Sequence, residues 1–309
     1  MAEMVEPRGV NEVASREKSS VLDGQSASGE RGGVGGLGGL SGLSGETRVL
    51  SIVGDPIAQV KSPAGMTQVL REHGHNAVLV PMHVSPVDLS VHIKGFSVAK
   101  NVDGIIVTVP HKFAVFAECA STTERARFLG AVNVLRRNAD GSWHGDMCDG
   151  EGFVGGMRAV GGEPSAKRAL LVGAGGAGSA IALALLENGV ASLAIHDEDP
   201  TRRDALISRL QGRFADKVSI GSDDPTGFEL VVNATPVGMK ASDPYPLQAD
   251  KLTAAMFVGD AITAPAVTPL IEAARALGCN TQVGGGMFAA VRDLMLSFLL
   301  EAGPLAKQR

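Results

Sequence analysis

From residue 48 onward the chain alternates short, continuous apolar runs with longer stretches in which apolar residues recur at helical spacing. The runs "RVLSIVG", "AVLVPMHV" and "DGIIVTVP" are of the first kind, with helical stretches between them, one of which opens at Ser62-Pro63. Runs of strand length that are apolar on both faces and joined by helices predict a parallel α/β sheet. A second series follows in "KRALLVGAGGAG", "SLAIHD", "FELVVNATP" and "MFVGDAI". Two α/β domains are therefore predicted, with the boundary placed near Asp149 to Phe153, where Gly150 and Gly152 are expected to loosen the chain. Ser62-Pro63, Asp199-Pro200 and Thr268-Pro269 each put a capping oxygen before a proline, a helix-start signature. Gly278 is expected to close the last of these helices, and Trp143 to pack in a hairpin spanning 136–145.

Residues 1–46 have a different character. "GGVGGLGGLSGLSG" offers too little side chain to offset the entropy of ordering it, so this stretch is expected to be a disordered Gly/Ser-rich tail outside the fold. With 309 residues, 44% of them hydrophobic, the rest of the chain has material for two cores. The net charge of -5, without a basic block, argues against nucleic acid and for a small-molecule ligand. Cys119, Cys148 and Cys279 are too widely spaced for a CxxC metal site and odd in number, so neither a metal site nor a disulfide framework is expected. "SAIALALLENG" reads as core helix, no run has the length of a membrane span, and no secretory signal is visible, so the cytoplasm is the expected location.

Chemistry enters with "LLVGAGGAGSAIALALLENG". Gly173, Gly175 and Gly178 stand at GxGxxG spacing between an apolar strand and an apolar helix, with Gly176 inside the same loop. That arrangement suits a dinucleotide: a tight turn, close approach of the pyrophosphate to the backbone, and a helix N-terminus facing phosphate. The following strand ends in Asp197, where such folds place an acid for the adenosine ribose, and a carboxylate there repels a 2′-phosphate. Glu198 and Asp199 add like charge, while Arg202 and Arg203 lie beyond Pro200 and would have to reach back. NAD is thus favoured over NADP, with helix capping the expected role of Asp199.

"VTVPHK" sets Thr108, Pro110 and Lys112 where an apolar strand runs out, the edge at which open α/β sheets present ligand-binding groups. A lysine and an acid, Lys112 and Asp149, could together exchange a hydroxyl proton and hold it in place, although sequence alone does not join the two and a lysine after a strand is more often a solvated charge. Bland readings stand beside these. Ser62 is explained by capping alone, Asn133 inside "GAVNVL" by the need of a buried amide for partners, and His111 by a structural or exposed role. Cys148 reads as a small apolar residue.

The order "GDPIAQVKSP", "GIIVTVPHK", "GAVNVL", "GDMCDGEGF", "VGAGGAG", "VVNATPVGM" and "GGGMF" resembles the chain of motifs of the shikimate and quinate dehydrogenases, from residue 48 almost to the C-terminus. The resemblance implies an N-terminal α/β substrate-binding domain over 47–149 and a Rossmann-like NAD-binding domain over 150–284. A C-terminal helix over 285–309 would return to the first domain, with the active site in the cleft. It further implies Lys112 as the proton-exchanging lysine and Asp149 as its partner. Ser62, Thr108 and Asn133 match substrate-contacting positions, and Thr235 and Met239 of "NATPVGM" fall with the cofactor loop. The implied reaction is NAD(P)-dependent interconversion of shikimate, or quinate, and its 3-dehydro form. A homodimer is left open.

This chain departs from the pattern where the substrate would sit. Val60 replaces a serine, Ile106 an asparagine, Thr263 a tyrosine and Val291 a glutamine; Gln59 stands for a histidine, and Met147-Cys148 for an asparagine-threonine pair. Where NADP-using members tend to carry asparagine-arginine-threonine after the second strand of the cofactor domain, this chain has Asp197-Glu198-Asp199. At about 1 kcal/mol per lost hydrogen bond, such changes would weaken binding of a polar acid by roughly two orders of magnitude. Two alternatives follow: the same chemistry on a less polar cyclic hydroxy acid, and a non-catalytic dinucleotide sensor. Retention of Lys112 and Asp149 argues against the sensor.

Overall fold

The computed structural model describes residues 42–308, so the expected tail lies, up to residue 41, outside the described residues. In chain order the first half contains β1 (Arg48–Gly54), α1 (Ser62–Glu72), β2 (Ala77–His83), α2 (Leu89–Val98), β3 (Val102–Val107) and α3 (Lys112–Phe116). It continues through β4 (Ser121–Thr122), α4 (Glu124–Leu129), β5 (Val134–Arg137) and β6 (Trp143–Asp146). These strands form a six-stranded sheet in the order β2-β1-β3-β5-β6-β4. The apolar runs β1, β2 and β3 pair in parallel, with Leu50 beside both Leu79 and Gly104. Contrary to the parallel sheet predicted, this one is mixed: β5 runs antiparallel to β3 and to β6. For the β5–β6 pair the expected hairpin is the cause, because an Asn138–Ser142 turn returns the chain at once instead of through a crossover helix. Trp143 is buried there, donating to Ser97 Oγ at 2.8 Å.

After α5 (Asp149–Ala159) come β7 (Arg168–Val172), α6 (Gly176–Glu187), β8 (Ser192–His196), α7 (Pro200–Phe214), β9 (Val218–Ile220) and β10 (Leu230–Asn233). The chain ends with β11 (Phe257–Asp260), α8 (Pro269–Ala276), β12 (Asn280–Gln282) and α9 (Gly284–Glu301). The second sheet, β12-β11-β10-β7-β8-β9, is parallel throughout. Strand order reverses around β7, so a crevice opens at its carboxyl end, where Gly173 begins the glycine loop.

Residues from Leu43 onward make one compact unit, joined by helices rather than by a loose linker. Gly150 and Gly152 do not loosen the chain as expected; they lie inside α5, which packs on both α6 and α9. A Cβ on Gly150 would stand 2.1 Å from the Ala180 carbonyl oxygen, and one on Gly152 2.2 Å from Val291 Cγ2. Absence of side chains is what lets three helix backbones meet. α9 also reaches α1 and β5 of the first sheet.

Of the three expected caps, Asp199 accepts from Thr201 N and Arg202 N, and Thr268 from Ile271 N. Ser62 does not cap: Lys61 occupies the N-cap, Ser62 is already helical, and its proline falls one place later than the capping pattern requires.

Gly150→Ala should lower the unfolding free energy by about 1–3 kcal/mol through backbone overpacking. Gly155→Ala, whose methyl would only touch Ala290 at 3.4 Å, should be neutral or gain up to about 1 kcal/mol. Urea titration of both variants checks this, and equal midpoints would remove the close-approach account of α5.

Candidate active site

β3 ends at Val107, and the chain crosses Thr108, Val109 and Pro110 before α3 begins at Lys112. Two anchors fix this crossing: His111 is buried with its ring nitrogen 2.8 Å from the Val84 carbonyl oxygen, and the Lys112 carbonyl accepts from Val132 N at 2.9 Å. His111 is therefore structural. On the facing side Asp149 is the first residue of α5, where the positive end of the helix dipole favours a carboxylate.

Lys112 Nζ donates to Asp149 Oδ2 in a short ion pair, with the two side chains 11% and 8% exposed. Asp149 Oδ1 accepts from Asn133 Nδ2 at 2.7 Å, and Asn133 Oδ1 in turn accepts from Cys148 N at 2.9 Å. Asn133 is wholly buried, and its backbone is tied to Val107 and Asp146. It thus holds the aspartate at a fixed angle. The stem of Lys112 lies on the glycine loop: a Cβ on Gly176 would come 3.0 Å from Lys112 Cδ. The lysine–aspartate pair and the glycine loop share one wall.

Beneath the pair, Arg125 forks onto Asp146, which also accepts from Thr123 Oγ1 and Met147 N. Burial would raise the Asp146 carboxyl, but the Arg125 and Thr123 hydrogen bonds outweigh it and hold the group below the usual range. Burial, reinforced by the charge of Asp146, pushes the Cys148 thiol far up, so it stays a protonated, apolar neighbour of Asp149.

The loop residues fit a dinucleotide. Gly178 would place a Cβ 1.9 Å from the Gly173 carbonyl oxygen, Gly173 has φ +108° and lies against Ala234 and Thr235, and the space at Gly175 is open. No side chain caps α6, which leaves its first N–H groups to a ligand. Thr235 folds onto Asn233 Oδ1 through both its N–H and its hydroxyl, while Met239 is exposed on the same loop.

Asp197 sits at the end of β8 but is not an open acid. Its oxygens accept from Ala174 N at 2.6 Å, Asp199 N at 2.9 Å, and Arg202 Nε and Nη2 at 3.1 and 2.6 Å. Arg202 does reach back across the first turn of α7. Burial alone would raise the Asp197 carboxyl, and these bonds, Arg202 first, bring it below its ordinary value.

Ser62 and Thr108, both half-buried, have hydroxyls that make no hydrogen bond within the described residues; the Thr108 methyl lies over Gly54, where a Cβ would come within 2.4 Å. Val60 and Thr263 are half-buried, and the Thr263 carbonyl accepts from Lys61 Nζ at 3.2 Å across 202 residues of sequence. Ile106 and Val291 are sealed in the core, 4% and 6% exposed, and offer a ligand neither a polar group nor much surface. Lys61 and Arg202 were missed as site residues because each acts through reach. Position i+5 from Asp197 on a helix start was the available signal for Arg202; nothing local marks Lys61. No group of His, Cys, Asp and Glu suited to a metal occurs among the described residues. A hollow of about 550 Å³ along β8 and β9 shares no lining residue with the Lys112–Asp149 pair.

Comparison with known proteins agrees with this geometry. Residues 52–135 match the family model described as the shikimate dehydrogenase substrate binding domain. A shikimate dehydrogenase (NADP(+)) of Rubrobacter xylanophilus is 37% identical over 239 residues, 75% of this chain and 84% of its own. Among solved structures, quinate dehydrogenase from Corynebacterium glutamicum in complex with NAD superposes with a TM-score of 0.75 at 28% identity, covering 85% of this chain and 97% of that one. Ligand-free 5-ketofructose reductase of a Gluconobacter species superposes with a TM-score of 0.73 at 27% identity, covering 85% and 96%. With a substrate-binding α/β domain, a Rossmann-like NAD(P) domain and relatives of this similarity, the chain belongs to the shikimate dehydrogenase family of NAD(P)-dependent CH–OH dehydrogenases.

Proposed function

We propose that this protein interconverts shikimate and 3-dehydroshikimate, or quinate and its 3-dehydro form, with Lys112 and Asp149 as the catalytic pair. The observation that carries the reading is the sequestered Lys112–Asp149 ion pair lying against Gly176 of the dinucleotide loop. When bound, the nicotinamide supplies the hydride acceptor or donor. In the oxidative direction Lys112 Nζ accepts the carbinol proton as the C–H bond breaks; in the reductive direction it returns that proton to the developing alkoxide. Asp149, held by Asn133, aims both Lys112 and the substrate hydroxyl. Burial of the pair keeps water from competing for the proton. Ser62, Thr108 and Thr263 supply hydroxyls for ring substituents. The ligand is a small molecule, and the charge pattern gives no call for nucleic acid. No helix among the described residues is long and apolar enough to cross a membrane.

NAD is the proposed preference, supported by the acidic run Asp197-Glu198-Asp199. Arg202 limits its size. An ionised carboxylate offers roughly four acceptor sites, and four donors already fill those of Asp197, so a ribose diol must displace Arg202 to bind it. While Arg202 stays, it also offsets the repulsion of a 2′-phosphate. The Rubrobacter relative is named for NADP(+) and the Corynebacterium enzyme is bound to NAD, so both cofactors occur among similar proteins.

The aliphatic positions Val60, Ile106 and Val291 favour a second reading, the same hydride transfer on a less polar cyclic hydroxy acid. The 5-ketofructose reductase has a similar fold and is named for a substrate other than shikimate or quinate.

Initial rates with shikimate and with quinate should show dinucleotide reduction, and Lys112→Ala should lower kcat by about 10²–10⁴ while leaving NAD affinity within a few fold. Turnover retained in that variant would take Lys112 out of the mechanism; no turnover in the parent, with NAD bound, would move the assignment to the less polar substrate. For the cofactor, Arg202→Ala should raise the NAD/NADP ratio of kcat/KM by about tenfold, the equivalent of one lost charge-assisted contact. Asp197→Asn combined with Glu198→Arg should lower the ratio, and a ratio unmoved by either change would place the ribose elsewhere.

A further inference from the structure

Asp260 is a fully buried carboxylate at the end of β11 that the proposed mechanism does not use. It has no salt bridge among the described residues. Three neutral donors converge on it: Ile262 N at 2.9 Å and Asn233 Nδ2 at 3.3 Å on Oδ1, and Thr268 Oγ1 at 2.7 Å on Oδ2. An acid without a countercharge in a core is costly, and burial raises its carboxyl above the ordinary value. Such a group persists only where its acceptor capacity is needed.

That need is visible in what the donors carry. Asn233, itself fully buried, holds the loop after β10: its Oδ1 accepts from Thr235 N at 3.0 Å and Thr235 Oγ1 at 2.7 Å, and its Nδ2 also donates to the Val237 carbonyl at 3.2 Å. Ile262 begins the loop after β11, where Thr263 takes the bond from Lys61. The same loop meets α9 closely, since a Cβ on Gly284 would stand 2.1 Å from the Ile262 carbonyl oxygen. The two loops touch again at Gly238, whose Cβ position lies 3.6 Å from Ile262 Cδ1. One carboxylate therefore ties the loop on the dinucleotide side to the loop that faces the substrate half.

We propose that Asp260 is a positioning residue, joined through Asn233 to the 234–239 loop and through Ile262 to the 261–267 loop, that makes dinucleotide occupancy of the first loop order the second. The inference rests on the proposed assignment of Thr235 and Met239 to the cofactor side. It does not depend on which hydroxy acid is the substrate. A tie between loops acts as a coupling free energy, and couplings of this kind typically correspond to factors of about 5–150.

Amide hydrogen exchange of the full-length protein, with and without saturating NAD or NADP, reads this coupling directly. In the parent protein, dinucleotide should slow exchange of the 261–267 segment by at least about fivefold. Asp260→Ala, and independently Asn233→Ser in case the first variant fails to fold, should bring that ratio within about twofold of unity while calorimetry still shows dinucleotide binding. Asp260→Asn is the conservative control: its oxygen can keep Asn233 and Ile262, and the Thr268 hydroxyl can reverse to accept, so the ratio should return toward the parental value. A parental ratio in both disrupting variants, or no protection of 261–267 in the parent despite bound dinucleotide, overturns the proposal. Absence of any dinucleotide binding to the parent would instead contradict the cofactor assignment on which it rests.

Discussion

An ion pair almost cut off from water is stable only if each charge has its partner held in place, because a lone buried charge costs several kcal/mol. The Lys112–Asp149 pair imposes that constraint on this fold. Asp149 is fixed by the first turn of α5 and by Asn133, and Asn133 by the strands on either side of it. Lys112 is fixed by the first turn of α3 and by the backbone bond to Val132. These supports hold the two charges against each other.

The same constraint explains the crowding of glycine around the pair. Gly150 and Gly152 admit α6 and α9 against the helix that begins with Asp149, and Gly176 admits the stem of Lys112 against the loop that suits a pyrophosphate. In the proposed reaction the proton leaves the carbinol oxygen and the hydride its carbon, one bond apart, so the lysine–aspartate pair and the dinucleotide loop have to lie close together. They meet at Gly176, whose lack of a side chain admits the Lys112 stem. The apolar replacements at Ile106 and Val291 sit in the packed layer behind that meeting point. They leave the Lys112–Asp149 pair in place.

Much of this was legible in the sequence where one residue type has one physical use. The glycine spacing from Gly173 to Gly178, the apolar strand before it and the caps at Asp199 and Thr268 are local signals, and the structure contains all of them. What was misread depends on distance or count. Ser62 failed as a cap because its proline falls at the second helical position from the N-cap Lys61. Gly150 and Gly152 look like linker residues until a neighbouring helix is present. The β5–β6 hairpin was expected, but that its first strand joins β3 is invisible in hydrophobic pattern alone, since "VLRR" is buried along its whole length despite two arginines. Arg202 lies within five residues of Asp197 and could have been read as its partner, whereas Lys61 on Thr263 and Asn233 on Asp260 are contacts of reach, which no short window of sequence records.

The most direct test of the central claim is a crystal structure of the ternary complex with NAD and shikimate, or with quinate if that proves the better substrate. The reacting hydroxyl should lie within about 2.6–3.2 Å of both Lys112 Nζ and an Asp149 oxygen, with the pyrophosphate on the first turn of α6. A ligand bound with its hydroxyl beyond the reach of Lys112, or a pyrophosphate away from the glycine loop, would contradict the account.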